Sequence, residues 1–132
     1  MAKIPAHIFR EYDIRGLAEE ELTNDHVALI GRAYGTWLAA RGVTKATLGG
    51  DARLSTRRIK AAAAAGMMSA GINVIDLGLC STPTFYWSLY KLEANGGIMV
   101  TGSHNPKEFN GLKVAWEKST LWGDDIQEIY RI

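Results

Sequence analysis

The fold class this sequence predicts is α/β: a three-layer α/β/α domain around a mixed, mainly parallel sheet of about four strands. Three observations predict it. Short apolar runs, INVIDL at 72–77 and GGIMV at 96–100, alternate with longer segments whose apolar residues recur at helical spacing. Hydroxyl residues stand where those helical segments begin and glycines where they end, as helix caps require. The chain has 132 residues, 47% of them hydrophobic, which suits one domain with a core of its own.

Taken in order, His7–Phe9 is a candidate short strand, and Asp13-Ile14-Arg15-Gly16 reads as a loop. Thr23 then caps a helix, with Leu22 and Val27 placed as a hydrophobic staple. Val27, Ile30, Tyr34, Trp37 and Leu38 give that helix an apolar face, and Gly42 suits its C-terminus. Gly31 and Gly35 weaken it as a helix but admit close approach of another element. Thr47-Leu48-Gly49 is a strand tip. Ser55 or Thr56 caps the next helix, whose alanine run reaches Ala70. After the β-branched strand 72–77, Thr82 caps a helix with Pro83 at its first position, packing Phe85, Tyr86, Leu89 and Leu92 on one side. Ile98-Met99-Val100 is a buried strand. Leu112–Trp116 is another, and the gap of about ten residues is too short for a comfortable crossover helix, so an antiparallel neighbour is expected. DDIQEIYRI opens a helix with acidic residues at its N-terminus, where they favour the dipole. It stops after about two turns, and the expectation is a piece of a longer protein.

The charge balance, 15 basic against 14 acidic side chains, gives no footprint for nucleic acid. Cys80 is the single cysteine, so there is neither a disulfide framework nor a cysteine metal motif. The first residues, MAKIPAHIF, do not read as a signal peptide, and no apolar run approaches the length of a membrane span. No nucleic-acid or membrane partner is expected, and the expected location is the cytoplasm.

In a parallel sheet, the loops after the strands share one edge, and ligands bind there. The loops here are GGDARLST, GLCSTPT and TGSHNPKEFNG. Together they bring Arg53, Ser55, Ser103, His104 and Lys107 to that edge, a hydroxyl-rich and cationic set suited to a phosphorylated ligand. A Ser–His hydrolase is disfavoured, because neighbours on an extended segment point apart and no G-x-S-x-G elbow is present. P-loop and dinucleotide fingerprints are absent too, and His7, His26 and His104 lack metal-ligand spacing. On the residues alone, 101–106 is either a functional loop around Ser103 or a pair of linked turns.

The motifs together resemble the α-D-phosphohexomutases, the phosphoglucomutase and phosphomannomutase superfamily. TGSHNP at 101–106 is similar to the active-serine loop of that family, and FREYDIRG at 9–16 to its N-terminal segment. Asp51-Ala52-Arg53-Leu54-Ser55 resembles the D-x-R-x-S loop, Thr82-Pro83 the following helix start, and Asn110-Gly111-Leu112-Lys113 the N-G-x-K segment. The likeness extends over almost the whole chain and leans toward the bacterial dual-specificity branch. Two positions stand out: Gly50 where many relatives carry arginine, and Gly102 where others carry alanine.

The resemblance implies the first of four domains of an enzyme that moves phosphate reversibly between the 1- and 6-positions of glucose or mannose phosphate. The phosphate passes through a phosphoserine at Ser103 and a hexose 1,6-bisphosphate. Mg²⁺ is the implied metal, reached from this chain through the phosphate on Ser103, with its other ligands in a second domain. Arg15 is implied near the reacting phosphate, and His104 as an assistant to Lys113 in proton transfer. Lys113 is implied as proton-transfer partner, a role in which a lysine needs neighbouring cations or burial to lower its pKa. Tyr12, Asp13, Asp51, Arg53, Thr101 and Asn105 are implied as support, with Asp13 orienting Arg15 and the Asp51–Arg53 pair holding loops. The implied partners are a phosphosugar and the remaining domains of the same chain. Two other readings stand beside it: a phosphoglucosamine or phosphoacetylglucosamine mutase, and a phosphosugar-binding module without transfer chemistry.

Overall fold

The computed structural model describes residues 4–10, 13–92, 94–102, 106, 108–117, 119–121 and 123–132. A 3₁₀ turn at Ala6–Ile8 leads into β1 (Ile14–Leu17), α1 (Asn24–Ala39), β2 (Lys45–Gly50), α2 (Thr56–Ser69) and β3 (Asn73–Leu79). Then follow α3 (Thr82–Lys91), β4 (Gly96–Val100), β5 (Phe109–Trp116), β6 (Ser119–Thr120) and α4 (Asp124–Arg131).

Five strands line up in the order β1-β5-β4-β2-β3, and the two-residue β6 extends the sheet beside β5. Helices lie on both faces, so the three-layer α/β/α expectation holds. The mainly parallel sheet of about four strands does not. β2 pairs in parallel with β3 and β4, but β5 runs antiparallel to β4, β1 and β6. The short gap after Val100 forced that reversal, and once β5 is reversed its far edge recruits β1.

β1 is the strand that the local sequence hides. His7 lies in the 3₁₀ turn, not in a strand, and Ile14–Leu17 is paired rather than looped, with Ile14 opposite Leu112 and Arg15 opposite Gly111. Four residues beginning after an aspartate and containing a glycine carry turn signals. Pairing to β5 and burial of Ile14 override them.

Of the expected helix caps, one holds, one shifts by a residue and one is not made. Thr23 caps α1, accepting the His26 amide. At α3, Ser81 rather than Thr82 is the cap, accepting the Thr84 amide at 3.3 Å, so Pro83 falls at the second position. At α2 neither candidate caps: Ser55 makes no capping bond, and the Thr56 hydroxyl turns instead to Asp51.

Side-chain alternation divides the core. Ile98, Val100, Leu112, Val114 and Leu48 face α1, α2 and α4 in the large cluster, whereas Met99 and Ala115 face α3 with Phe85 and Leu89. The glycines of α1 do admit close approach. A Cβ at Gly31 would lie 2.5 Å from the Ala63 carbonyl oxygen, and one at Gly66 of α2 would collide with the Ala28 carbonyl. At the buried end of α1, the Tyr34 hydroxyl accepts the Gly97 amide at 2.8 Å and donates to the Ala115 carbonyl, tying β4 to β5.

Candidate functional site

β2, β4 and β3 run in one direction, so the loops leaving their carboxyl ends meet at one edge. Asp51 is the hub there. Its Oδ1 accepts the Thr56 hydroxyl at 2.7 Å and the Arg53 amide at 3.1 Å, and its Oδ2 accepts the Gly102 amide at 3.1 Å. Burial alone would push the Asp51 carboxyl up. The bonds from Thr56, the Arg53 and Gly102 amides and the Thr101 side chain outweigh it and hold the carboxyl below its ordinary value.

Arg53 reaches from the same loop across the segment that follows β4. Its Nη1 donates to the carbonyls of Pro106 at 2.8 Å and Phe109 at 3.2 Å, while its Nε lies 3.4 Å from Asp51. The guanidinium lies over Gly102, where a Cβ would overlap it. Thr101 is buried, and its amide bonds the Gly111 carbonyl at 3.0 Å, extending the β4–β5 ladder by one residue. Gly50 likewise leaves room: a Cβ there would lie 2.5 Å from the Thr56 methyl and 2.8 Å from Lys60.

A second group forms on β1 and β5. Arg15 donates through Nε and Nη2 to a single oxygen of Asp13, at 3.1 and 2.9 Å, and Asp13 is buried while Arg15 keeps partial exposure. The register sets Arg15 beside Gly111, and Lys113 is the next residue of β5 on that face, opposite Met99. Arg15 and Lys113 therefore share the α3 face of the sheet, next to the edge where Thr101 and Gly102 lead toward Ser103. Of the expected residues, Ser103, His104, Asn105 and Tyr12 lie outside the described residues. So does Lys107.

Among the described residues no three histidine, cysteine, aspartate or glutamate side chains cluster as a metal site. Asp13 is bonded to Arg15, and Asp51 carries bonds from Thr56 and two amides. These carboxylates do not by themselves fit Mg²⁺. Burial pushes the Cys80 thiol up, which argues against a thiolate nucleophile at the edge. A groove of about 700 Å³ beside the Asp51 loop is lined by Arg53, Arg57, Lys60 and Asp76, and Lys60 pairs there with Asp76 at 2.7 Å. No described helix is long and apolar enough to cross a membrane.

Asp51 and Arg53 thus pin one loop, and Asp13 holds Arg15 beside it. The family model described as phosphoglucomutase/phosphomannomutase, alpha/beta/alpha domain I, matches residues 6–132. The chain belongs to this family. It is 39% identical over 132 residues to a phosphoglucomutase of Neisseria meningitidis serogroup B, covering 100% of this chain and 29% of that protein. It is 40% identical over 126 residues to a phosphomannomutase/phosphoglucomutase of Pseudomonas aeruginosa PAO1, covering 96% and 27%. The crystal structure of a phosphoglucomutase/phosphomannomutase family protein from Burkholderia thailandensis superposes with a TM-score of 0.90 at 36% identity, over 97% of this chain and 30% of that one. The chain thus spans under a third of the length of these relatives.

Sequence reasoning about this family domain gave Thr56 only as a possible helix cap and Asn110 only as a motif letter. Asn110 is fully buried, and its amide nitrogen donates to Ser55 Oγ at 2.9 Å and Thr56 Oγ1 at 3.1 Å. One signal was available: asparagine is disfavoured inside a strand, so one between Phe109 and Gly111 calls for a bonding partner. Which partner, 54 residues away, is not written locally.

Proposed function

We propose that the protein to which these residues belong is a phosphohexomutase that moves phosphate between the 1- and 6-positions of glucose or mannose phosphate in the cytoplasm. This domain supplies the phosphoserine. The observation that carries the reading is the double hold on segment 102–109. Asp51 takes the amide of Gly102 at its start, and Arg53 takes the carbonyls of Pro106 and Phe109 toward its end, with Ser103 in between. A weak nucleophile such as serine gains from being held in line with its phosphate. Family membership and the 39–40% identity to phosphoglucomutase and phosphomannomutase support the same assignment.

The transfer balances without an outside reagent. The sugar hydroxyl oxygen forms a bond to phosphorus as the Ser103 Oγ–P bond breaks, and the hydroxyl proton passes to Lys113, with His104 assisting. The bisphosphate then turns over, and its other phosphate returns to Ser103 as the proton goes back to the freed sugar oxygen. Arg15, held by Asp13, offsets the charge on the moving phosphoryl group. Mg²⁺ supplies further charge neutralisation when bound. In this proposal it is held by the phosphate on Ser103 and by residues beyond these 132. The distal phosphate and the sugar are gripped by other domains of the same chain.

The test is phosphate mapping by intact mass and peptide fragmentation, on this chain and on the full-length protein, before and after glucose 1,6-bisphosphate with Mg²⁺. Phosphate on Ser103, absent from Ser103→Ala, is the expected result. A full-length protein in which Ser103 stays unmodified while mutase turnover proceeds would overturn the proposal.

A further inference from the structure

We infer that Asn110 and Thr56 are positioning residues for phosphoryl transfer. Through Asp51 they form a partly buried hydrogen-bond relay that reaches the Gly102 amide and fixes the backbone entering Ser103. The inference rests on the proposed role of Ser103 as phosphoryl carrier and adds two residues that touch neither substrate nor phosphate in that proposal.

As far as Asp51 the relay has one possible direction. The Asn110 carbonyl oxygen accepts the Gly111 amide at 2.9 Å, so its amide nitrogen must face the other way. Both hydrogens of that nitrogen find acceptors, Ser55 Oγ at 2.9 Å and Thr56 Oγ1 at 3.1 Å. With an Asn110 hydrogen on its oxygen, Thr56 has its single proton left to give, and Asp51 Oδ1 takes it at 2.7 Å. The Arg53 amide donates to the same carboxylate oxygen, and the Gly102 amide donates to Oδ2 at 3.1 Å, an oxygen that Arg53 Nε also faces at 3.4 Å. From Asn110 through Thr56 to Asp51 the bonds run donor to acceptor in one direction, and such bonds strengthen one another. At Asp51 the direction reverses, because the Gly102 amide also donates to the carboxylate, so the relay acts on Gly102 by fixing where that carboxylate sits.

The position of the relay argues for more than packing. Segment 102–109 leaves β4 after Thr101 and enters β5 at Phe109. Asn110 sits at the exit and Gly102 at the entrance, and the relay joins the two through the first residue of α2. It closes the loop without using the loop's own side chains. A fully buried asparagine and a nearly buried threonine are a costly way to fill space, because a pair of apolar side chains of similar size would carry no desolvation penalty. What an apolar pair cannot do is orient the Asp51 carboxylate, which accepts the amide that precedes Ser103.

Thr56→Val removes the hydroxyl at nearly constant volume, and Thr56→Ser restores it. Two readouts are made on each. In this chain, hydrogen exchange of the Gly102 amide is measured by NMR. In the full-length protein, kcat and KM for glucose 1-phosphate are measured. Tyr34→Phe, which weakens the core away from the relay, serves as the stability-matched control. The expected result for Thr56→Val is Gly102 exchange faster by about tenfold or more, with kcat lowered roughly 10- to 100-fold and KM within about twofold. Thr56→Ser recovers both readouts, and Tyr34→Phe leaves kcat at the wild-type value. Wild-type kcat in Thr56→Val overturns the proposal, and so does an equal loss of kcat in Tyr34→Phe. A wild-type protein that never phosphorylates Ser103 would instead refute the proposed function. The exchange of Gly102 in Thr56→Val would still decide whether the relay holds the loop entrance.

Discussion

On one side of the sheet, α1, α2 and α4 cover strand residues from Ile14 to Val114 with a continuous apolar layer, and two helices meet backbone against backbone at Gly31 and Gly66. On the other side α3 packs against β2 and β4, joining Phe85 and Leu89 to Met99 and Ala115, while β1 and β5 present the partly exposed Arg15 and Lys113. The first face buries apolar area and leaves no room for an added atom at Gly31 or Gly66. The second keeps cations within reach of solvent beside the loop edge. In this domain the large apolar core lies on one face of the sheet and the partly exposed Arg15 and Lys113 on the other, so substitutions in the core and at these two cations should fail in different assays.

The sharpest separation is expected at Lys113. Lys113→Met in the full-length protein should lower kcat by roughly 10²-fold or more if Lys113 transfers the proton. Its thermal unfolding should stay within about 0.5 kcal/mol of wild type, as for other partly exposed sites. Near-normal turnover across the pH profile would remove Lys113 from the proton path.

Gly66→Ala is the opposite case. Alanine favours a helix over glycine by about 1 kcal/mol, but the added methyl would meet the Ala28 carbonyl, which belongs to a packed helix and cannot turn aside. Overpacking should win, with a net loss of about 2 kcal/mol or more and a melting temperature lower by several degrees in calorimetry. An unchanged melting temperature would mean that the α1–α2 seam is looser than it stands here.

Tyr34→Phe should cost less, about 1–2 kcal/mol in urea unfolding, because it strands the buried Gly97 amide. The smallest effect concerns acid. The Asp51 carboxyl is held below its ordinary value by its hydrogen bonds, so it binds a proton more readily in the unfolded chain than in the folded one. Its contribution is therefore complete above the ordinary carboxylate range and fades as pH falls through the lowered folded value. Asp51→Asn should show a shallower fall of melting temperature on acidification than wild type. Parallel curves would mean that Asp51 titrates alike in both states.

The fates of particular elements show where local sequence sufficed. INVIDL and GGIMV became β3 and β4, and the helices from Thr23 and Ser81 appeared within a residue of their expected starts, because apolar period and caps are local signals. Antiparallel β5 followed from chain length alone. β1 escaped, since Ile14–Leu17 becomes a strand only through β5, which lies about ninety residues away. At the site, motifs marked Asp13, Arg15, Asp51 and Arg53, and the pairs Asp13–Arg15 and Asp51–Arg53 are neighbours in sequence as in space. Asn110 and Thr56 are neighbours only in space, and nothing local to either names the other.

The guanidinium of Arg53 resting on Gly102 couples two positions 49 residues apart in a way that heredity would notice. One methyl at 102 would overlap the Arg53 guanidinium, the far end of a flexible side chain, which must then shift from the place where it bonds Pro106 and Phe109. A lineage that carries alanine at 102 must therefore route this arginine differently. The two positions should drift together, and a loop transplanted from such a lineage should fit this scaffold only when its partner at 53 is adjusted with it.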